Sequence, residues 1–183
     1  MGGKGFKLID TPGLEGSAAE NLNLLKDIAR SLTELGTPTS PVKVSWALFF
    51  HRITDGRFSG TARSHLDIFK QICGKEFTPQ AAFVTTMWNR AGRNGRERYE
   101  QLSDEIEEKY FRLCSNTIFF RFQNDQSSAK EVLDRLGRRA ANSQLLFVDE
   151  MRKSGPSLSG MRKTSAGKTV LKGQKGGGSC VIL

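Results

Sequence analysis

Four times in this chain a short apolar run gives way to an amphipathic helical pattern, and that alternation restricts the possible folds more than any other feature. Phe6 to Ile9 precedes a helix predicted over about 17–35. There Ser17 and Glu20 have the S-x-x-E spacing of a capping box, and Leu22, Leu25, Ala29, Leu32 and Leu35 recur at helical intervals. Val42 to Phe50 (VKVSWALFF) is nearly continuous in apolar residues, as a strand covered on both faces should be. It precedes a helix that Thr61 can cap, that carries Leu66, Phe69, Ile72 and Cys73, and that stops at Gly74. Ala81 to Thr86 (AAFVTT) leads into a helix over about 96–113, with Tyr99, Leu102, Ile106 and Tyr110 on one face and Glu105 spaced to pair with Lys109. Thr117 to Phe122 (TIFFRF) leads into a helix opened by a second S-x-x-E, Ser128 to Glu131, and continued by Val132, Leu133 and Leu136. The pattern predicts an α/β fold, a parallel sheet with helices on both faces, whose ligands bind at the carboxyl ends of the strands. Asp10, His51 and Thr86 to Asn89 all fall at such ends.

Beyond Leu136, Gln144 to Lys153 (QLLFVDEMRK) reads as a last amphipathic helix, after which Gly, Ser and Lys dominate and no fixed structure is expected from about Ser154. The net charge of +9 belongs to that tail. Residues 151–183 hold seven basic residues and no acidic one, whereas 1–150 hold 21 basic and 19 acidic, an ordinary mixed surface. The tail has no aromatic residue for base stacking, which speaks against nucleic acid as a partner. At 183 residues the chain suits one compact domain plus a tail. It has neither an apolar run long enough for a membrane span nor the pattern of a signal peptide, and is expected in the cytosol. Cys73 and Cys114 sit among apolar residues and are expected to be core thiols.

Two stretches are more specific. "LIDTPGLEG" places D-x-x-G after an apolar run, and "FFHRITDGRFSGTARSHLDIFKQICG" is followed by "FVTTMWNRAGRNGRERYEQL". Together with "LLFVDEMRKSGPSLSGMRKTSAGKTVL" they resemble the G-domain-containing proteins abundant in fungi, similar in turn to the immunity-associated and chloroplast-import-receptor GTPases of the septin-like branch. The resemblance runs from about Phe6 to Leu171. It implies a P-loop NTPase-like, three-layer parallel sheet, N-terminally incomplete, with a partial G domain over 1–153 and a flexible basic tail over 154–183. It also implies GTP or GDP with magnesium as ligand. Asp10, with Thr11 and Gly13, matches the D-x-x-G element, where the aspartate holds a magnesium-bound water and the glycine N–H approaches the terminal phosphate. Thr86, Met87, Trp88 and Asn89 occupy the guanine-reading position. The family usually has Asp in the place of Asn89, and an amide cannot accept both guanine N–H groups as a carboxylate does. The alternative for this turn is that Trp88 simply packs. His51 either faces the nucleotide or satisfies a local hydrogen bond, and Arg57 suits a surface ion pair. The segment 123–129 lies where backbone contacts to the base are expected.

The phosphate cradle G-x-x-x-x-G-K-[ST] is missing from these residues. Ser165 to Thr169 (SAGKT) ends correctly, but Arg162 stands where the first glycine is needed, and the motif reads as a decoy. Weakened or lost hydrolysis is accordingly expected. The fold's first strand and helix are missing with the cradle, which leaves sheet open to a protein partner or to self-association. Cys180-Val181-Ile182-Leu183 is a C-a-a-X ending, and with the lysines before it predicts a prenylated tail peripheral to anionic membranes. The rival expectation is a nucleotide-free pseudo-GTPase, a membrane-associated interaction module.

Overall fold

The computed structural model describes residues 7–14, 16–36, 43–55, 58–74, 80–110, 118–138, 145–173 and 180–182, without the side chains of 109, 110 and 180–182. Three of the expected strands form: β1 (Ala47–Arg52), β2 (Ala81–Thr86) and β3 (Ile118–Arg121). They are parallel with β2 in the middle; Ala47 lies opposite Ala81 and Arg52 opposite Thr86, while Ala82 lies opposite Ile118 and Thr85 opposite Arg121. The chain is therefore α/β. β2 is buried from Ala81 to Thr85, which explains its unbroken apolar run: helices cover both of its faces.

The expected first strand is not in this sheet. Lys7 to Ile9 have no regular structure, Leu8 is 60% exposed, and Asp10 is a single bridge residue. The edge of β1 is taken instead by β4 (Cys180–Ile182), antiparallel, with Leu48 opposite Ile182 and Phe50 opposite Cys180. The order is β3-β2-β1-β4. An unpaired edge presents a row of unsatisfied N–H and C=O groups, and the distant C-terminal segment supplies partners for part of it.

The helices follow from their caps. α1 (Ala18–Glu34) begins with the full capping box: the Ser17 N–H donates to Glu20 Oε2 at 2.6 Å and the Glu20 N–H to Ser17 Oγ at 3.3 Å. Leu22, Leu25, Ala29 and Leu32 are buried, as their spacing predicts. α2 (Gly60–Cys73) is capped by Ser59 rather than Thr61, since the Ala62 N–H donates to Ser59 Oγ. It ends at Gly74, whose φ of 77° favours glycine. α3 (Gly95–Tyr110) buries Leu102 and Ile106. Its Glu105 pairs with Arg63 of α2. α4 (Gln126–Arg138) opens earlier than the S-x-x-E spacing suggests, because Asp125 is the cap and its carboxylate accepts the Ser128 N–H at 2.7 Å. Those hydrogen bonds hold the Asp125 carboxyl below its ordinary range.

The largest departure lies beyond Ser154. After α5 (Leu146–Ser154), the stretch expected to lack structure forms α6 (Leu158–Lys163) and α7 (Ser165–Lys172). Met161, Ala166 and Val170 enter the same core as α1 and α2 and are at most 1% exposed. The residues that looked disorder-prone have structural uses: Ser157 and Thr164 cap the helices, Gly160 and Gly167 permit close approach, and Lys168 and Lys172 face solvent. This core lies on one face of the sheet. On the other, Val132 and Leu136 of α4 pack on Leu48, Ala82, Val84, Ile118 and Phe120, and the Trp46 indole N–H donates to the Leu136 carbonyl at 2.8 Å. Among the described residues no helix is long and apolar enough to cross a membrane.

Candidate functional site

The carboxyl ends of β2 and β3 are joined through Thr85. Its Oγ1–H donates to the Phe120 carbonyl at 3.0 Å, and its own carbonyl accepts the Phe122 N–H at 2.8 Å. The turn 86–89 and the segment that begins at Gln123 are thereby held side by side. After Thr86 the chain reverses through Met87, at the left-handed φ of 60°, into a single 3-10 turn, Trp88–Arg90. The reversal folds the indole back, so that Trp88 Nε1–H donates to both the carbonyl (3.2 Å) and Oγ1 (3.0 Å) of Thr85. Tyr99 of α3 lies against the indole at 5.5 Å between ring centroids, and the Arg121 guanidinium sits 4.9 Å from the Trp88 ring and 4.1 Å from that of Tyr99. Of the residues expected to read guanine, Trp88 is thus engaged within the protein. Thr86 is half-buried, and Met87 and Asn89 are exposed. The sequence marked Tyr99 only as part of a helix's apolar face and did not single out Arg121, for which an arginine closing a mostly apolar strand is the signal.

A cavity of about 440 Å³ opens beside this cluster, lined by Arg121, Gln123, Asp125, Ser127 and Arg135 among others. It coincides with the segment where base contacts are expected. The D-x-x-G element lies outside it. Thr11 is 5% and Leu14 2% exposed, which anchors that loop, while Asp10 is exposed and Gly13 half-buried. Neither this cavity nor the one described below takes in Asp10, Thr11, Gly13, Thr86, Met87, Trp88 or Asn89. Among the described residues no three metal-binding side chains cluster. Magnesium is commonly held by one or two carboxylates with phosphates and waters, and Asp10 is the carboxylate that would hold it.

Ser165 to Thr169 does open a helix, but its N-terminus is already filled. The Glu150 carboxylate of α5 accepts the Ser165 N–H at 2.8 Å and the Ser165 Oγ–H at 2.6 Å, and the Gly167 N–H donates to Thr164 Oγ1 at 3.0 Å. A carboxylate stands where an anion would bind. Gly167 is needed for another reason, since a Cβ there would lie 1.9 Å from the Met161 carbonyl oxygen. The motif is a joint between α6 and α7.

His51 is the last residue but one of β1 and is 4% exposed. It stands edge-on to Phe58, 5.4 Å between centroids, in a separate cavity of about 220 Å³ between β1, α2 and α3. Burial holds its imidazole below the ordinary range; Asp55 acts the other way and Arg52 adds to the depression. It is therefore neutral at pH 7, and its buried Nδ1 has no hydrogen-bond partner among the described residues. Arg57 and Cys114 lie outside the described residues, as does the Cys180 side chain. Cys73 is fully buried, which pushes its thiol far above the usual range and makes it inert.

Comparison with family models, with curated proteins and with solved structures finds no match. The functional reading therefore rests on these residues.

Proposed function

We propose that the chain is the base-binding side of a septin-like GTP-binding domain. The observation that carries this reading is the pair of Thr85 hydrogen bonds that set the turn 86–89 beside the segment 123–129 at the carboxyl ends of parallel strands. The same chain regions are the base-reading elements that the resemblance implies, and an open polar cavity adjoins them. Thr86 to Asn89 and 123–129 then contact the base, and Asp10 and Gly13 serve the phosphate side with magnesium. These residues supply no phosphate cradle, so the activity assigned to them is binding without efficient hydrolysis. Isothermal titration with GTP, GDP and ATP in the presence of magnesium tests it. Saturable guanine-nucleotide binding is expected, strengthened roughly tenfold, or about 1.4 kcal/mol, by Asn89→Asp. Absence of any saturable binding by both proteins ends the reading.

The proposal includes a membrane surface as partner. Arg152, Lys153, Arg162, Lys163, Lys168 and Lys172 are all exposed on α5 to α7, a folded basic surface, and Cys180 is the residue to be prenylated. Cys180 lies in β4, so modification requires β4 to leave β1. Mass spectrometry of the C-terminal peptide from cells decides it: an unmodified Cys180 followed by an intact Leu183 removes this part.

A second reading, a nucleotide-free interaction module, is favoured by one specific observation. The Trp88 indole and the helix joint at Ser165 are both occupied by protein groups, Thr85 and Glu150. The same titration separates the two.

A further inference from the structure

We infer that the cavity between β1, α2 and α3 is a binding site for a small carboxylate with an apolar body, held by Arg98 and His51. It contains none of the residues assigned above to nucleotide, so it stands or falls independently of that reading.

Three observations define the ligand. The floor is apolar: Ile53, Phe58 and Leu102 are 1%, 5% and 7% exposed. His51 lines the same cavity as a neutral imidazole, and its buried Nδ1 has no hydrogen-bond partner among the described residues, a condition rare in folded proteins. The third observation is how the charges at the cavity pair. Asp55 pairs with Arg52 at 3.3 Å and Glu105 pairs with Arg63, so both carboxylates that reach the cavity are neutralised. Arg98, which also lines it, makes no ion pair among the described residues. One guanidinium therefore remains to take a carboxylate through its planar fork, while a neutral imidazole can donate a further hydrogen bond. The volume sets the size. About 220 Å³ exceeds the roughly 150 Å³ of a cavity known to enclose benzene, leaving room for one ring or a short chain plus a carboxylate, and none for a nucleotide.

Benzoate is a suitable probe, with benzamide as its neutral isostere and inorganic phosphate as a plain anion, titrated into the full chain and followed by NMR of the histidine imidazoles. Benzoate is expected to saturate, to move the His51 resonances, and to bind at least tenfold more tightly than benzamide, with phosphate inert. Arg98 is only half-buried, so Arg98→Gln should fold and should lose at least tenfold in benzoate affinity while benzamide is unaffected. His51→Phe should fill the cavity and abolish both, with an intact thermal transition showing that the variant is folded. The inference is overturned if millimolar benzoate does not saturate, if benzamide binds as well, if Arg98→Gln binds benzoate normally, or if phosphate displaces benzoate with equal affinity.

Discussion

Gly167→Ala separates a helix joint from a phosphate loop. In an exposed helix, glycine to alanine stabilises by about 1 kcal/mol. Here the added methyl would start 1.9 Å from the Met161 oxygen and 2.8 Å from its carbonyl carbon, and contacts under 3.0 Å are essentially never seen, so backbone must retreat by more than an ångström. The Met161 oxygen cannot do so cheaply, because it accepts both the N–H (3.1 Å) and the Oγ–H (2.7 Å) of Thr164, which in turn caps α7. Overpacking costs about 1–3 kcal/mol and a weakened cap about 1 more. Set against the helix gain, the net loss is about 1–3 kcal/mol. For a chain of this length that lowers Tm by roughly 2–12 °C. Gly60→Ala is the control: it opens α2, and nothing lies within 4 Å of its added Cβ. Thermal melts followed by circular dichroism should show Gly167→Ala below the parent and Gly60→Ala at or slightly above it. A Gly167→Ala protein as stable as the parent, but altered in nucleotide affinity, would refute the argument and return the motif to phosphate binding.

Two further outcomes are expected. Trp46→Phe leaves the buried Leu136 carbonyl unpaired and should cost about 1–3 kcal/mol in urea unfolding; an unchanged midpoint would mean that water or a shifted helix replaces the bond. Burial depresses the His51 pKa, so between its folded value and the ordinary 6.5 the unfolded chain binds the extra proton. Its contribution is complete above pH 6.5 and is lost as pH falls below it, by at most about 1.4 kcal/mol per pH unit. His51→Phe should flatten that acid limb of stability, measured as the difference between the two proteins' pH profiles.

Much of the architecture was legible because it depends on periodicities that tertiary contacts reinforce. Ser17 and Glu20 announced α1, since a capping box is complete within four residues. Ala81 to Thr86 announced the central strand, since the unbroken apolar run Ala81 to Val84 suits a strand covered on both faces. Asp125 displaced Ser128 as a cap because both residues offer suitable oxygens and only the geometry of the turn chooses between them.

By itself the sequence determined the α/β alternation, the parallel strands and the strand-end positions of His51 and Thr86 to Asn89, all consequences of local pattern. The tertiary structure alone decided three matters that depend on residues far apart in the chain. Cys180–Ile182, not Lys7–Ile9, pairs with β1, because an open edge takes whichever segment the fold delivers to it. The polar stretch after Ser154 became two helices because Met161, Ala166 and Val170 find a core already built by α1 and α2. The Gly-Lys-Thr motif became a joint because Glu150, 15 residues earlier, reaches the Ser165 N–H; a helix N-terminus attracts an anion, and no local pattern says which one arrives.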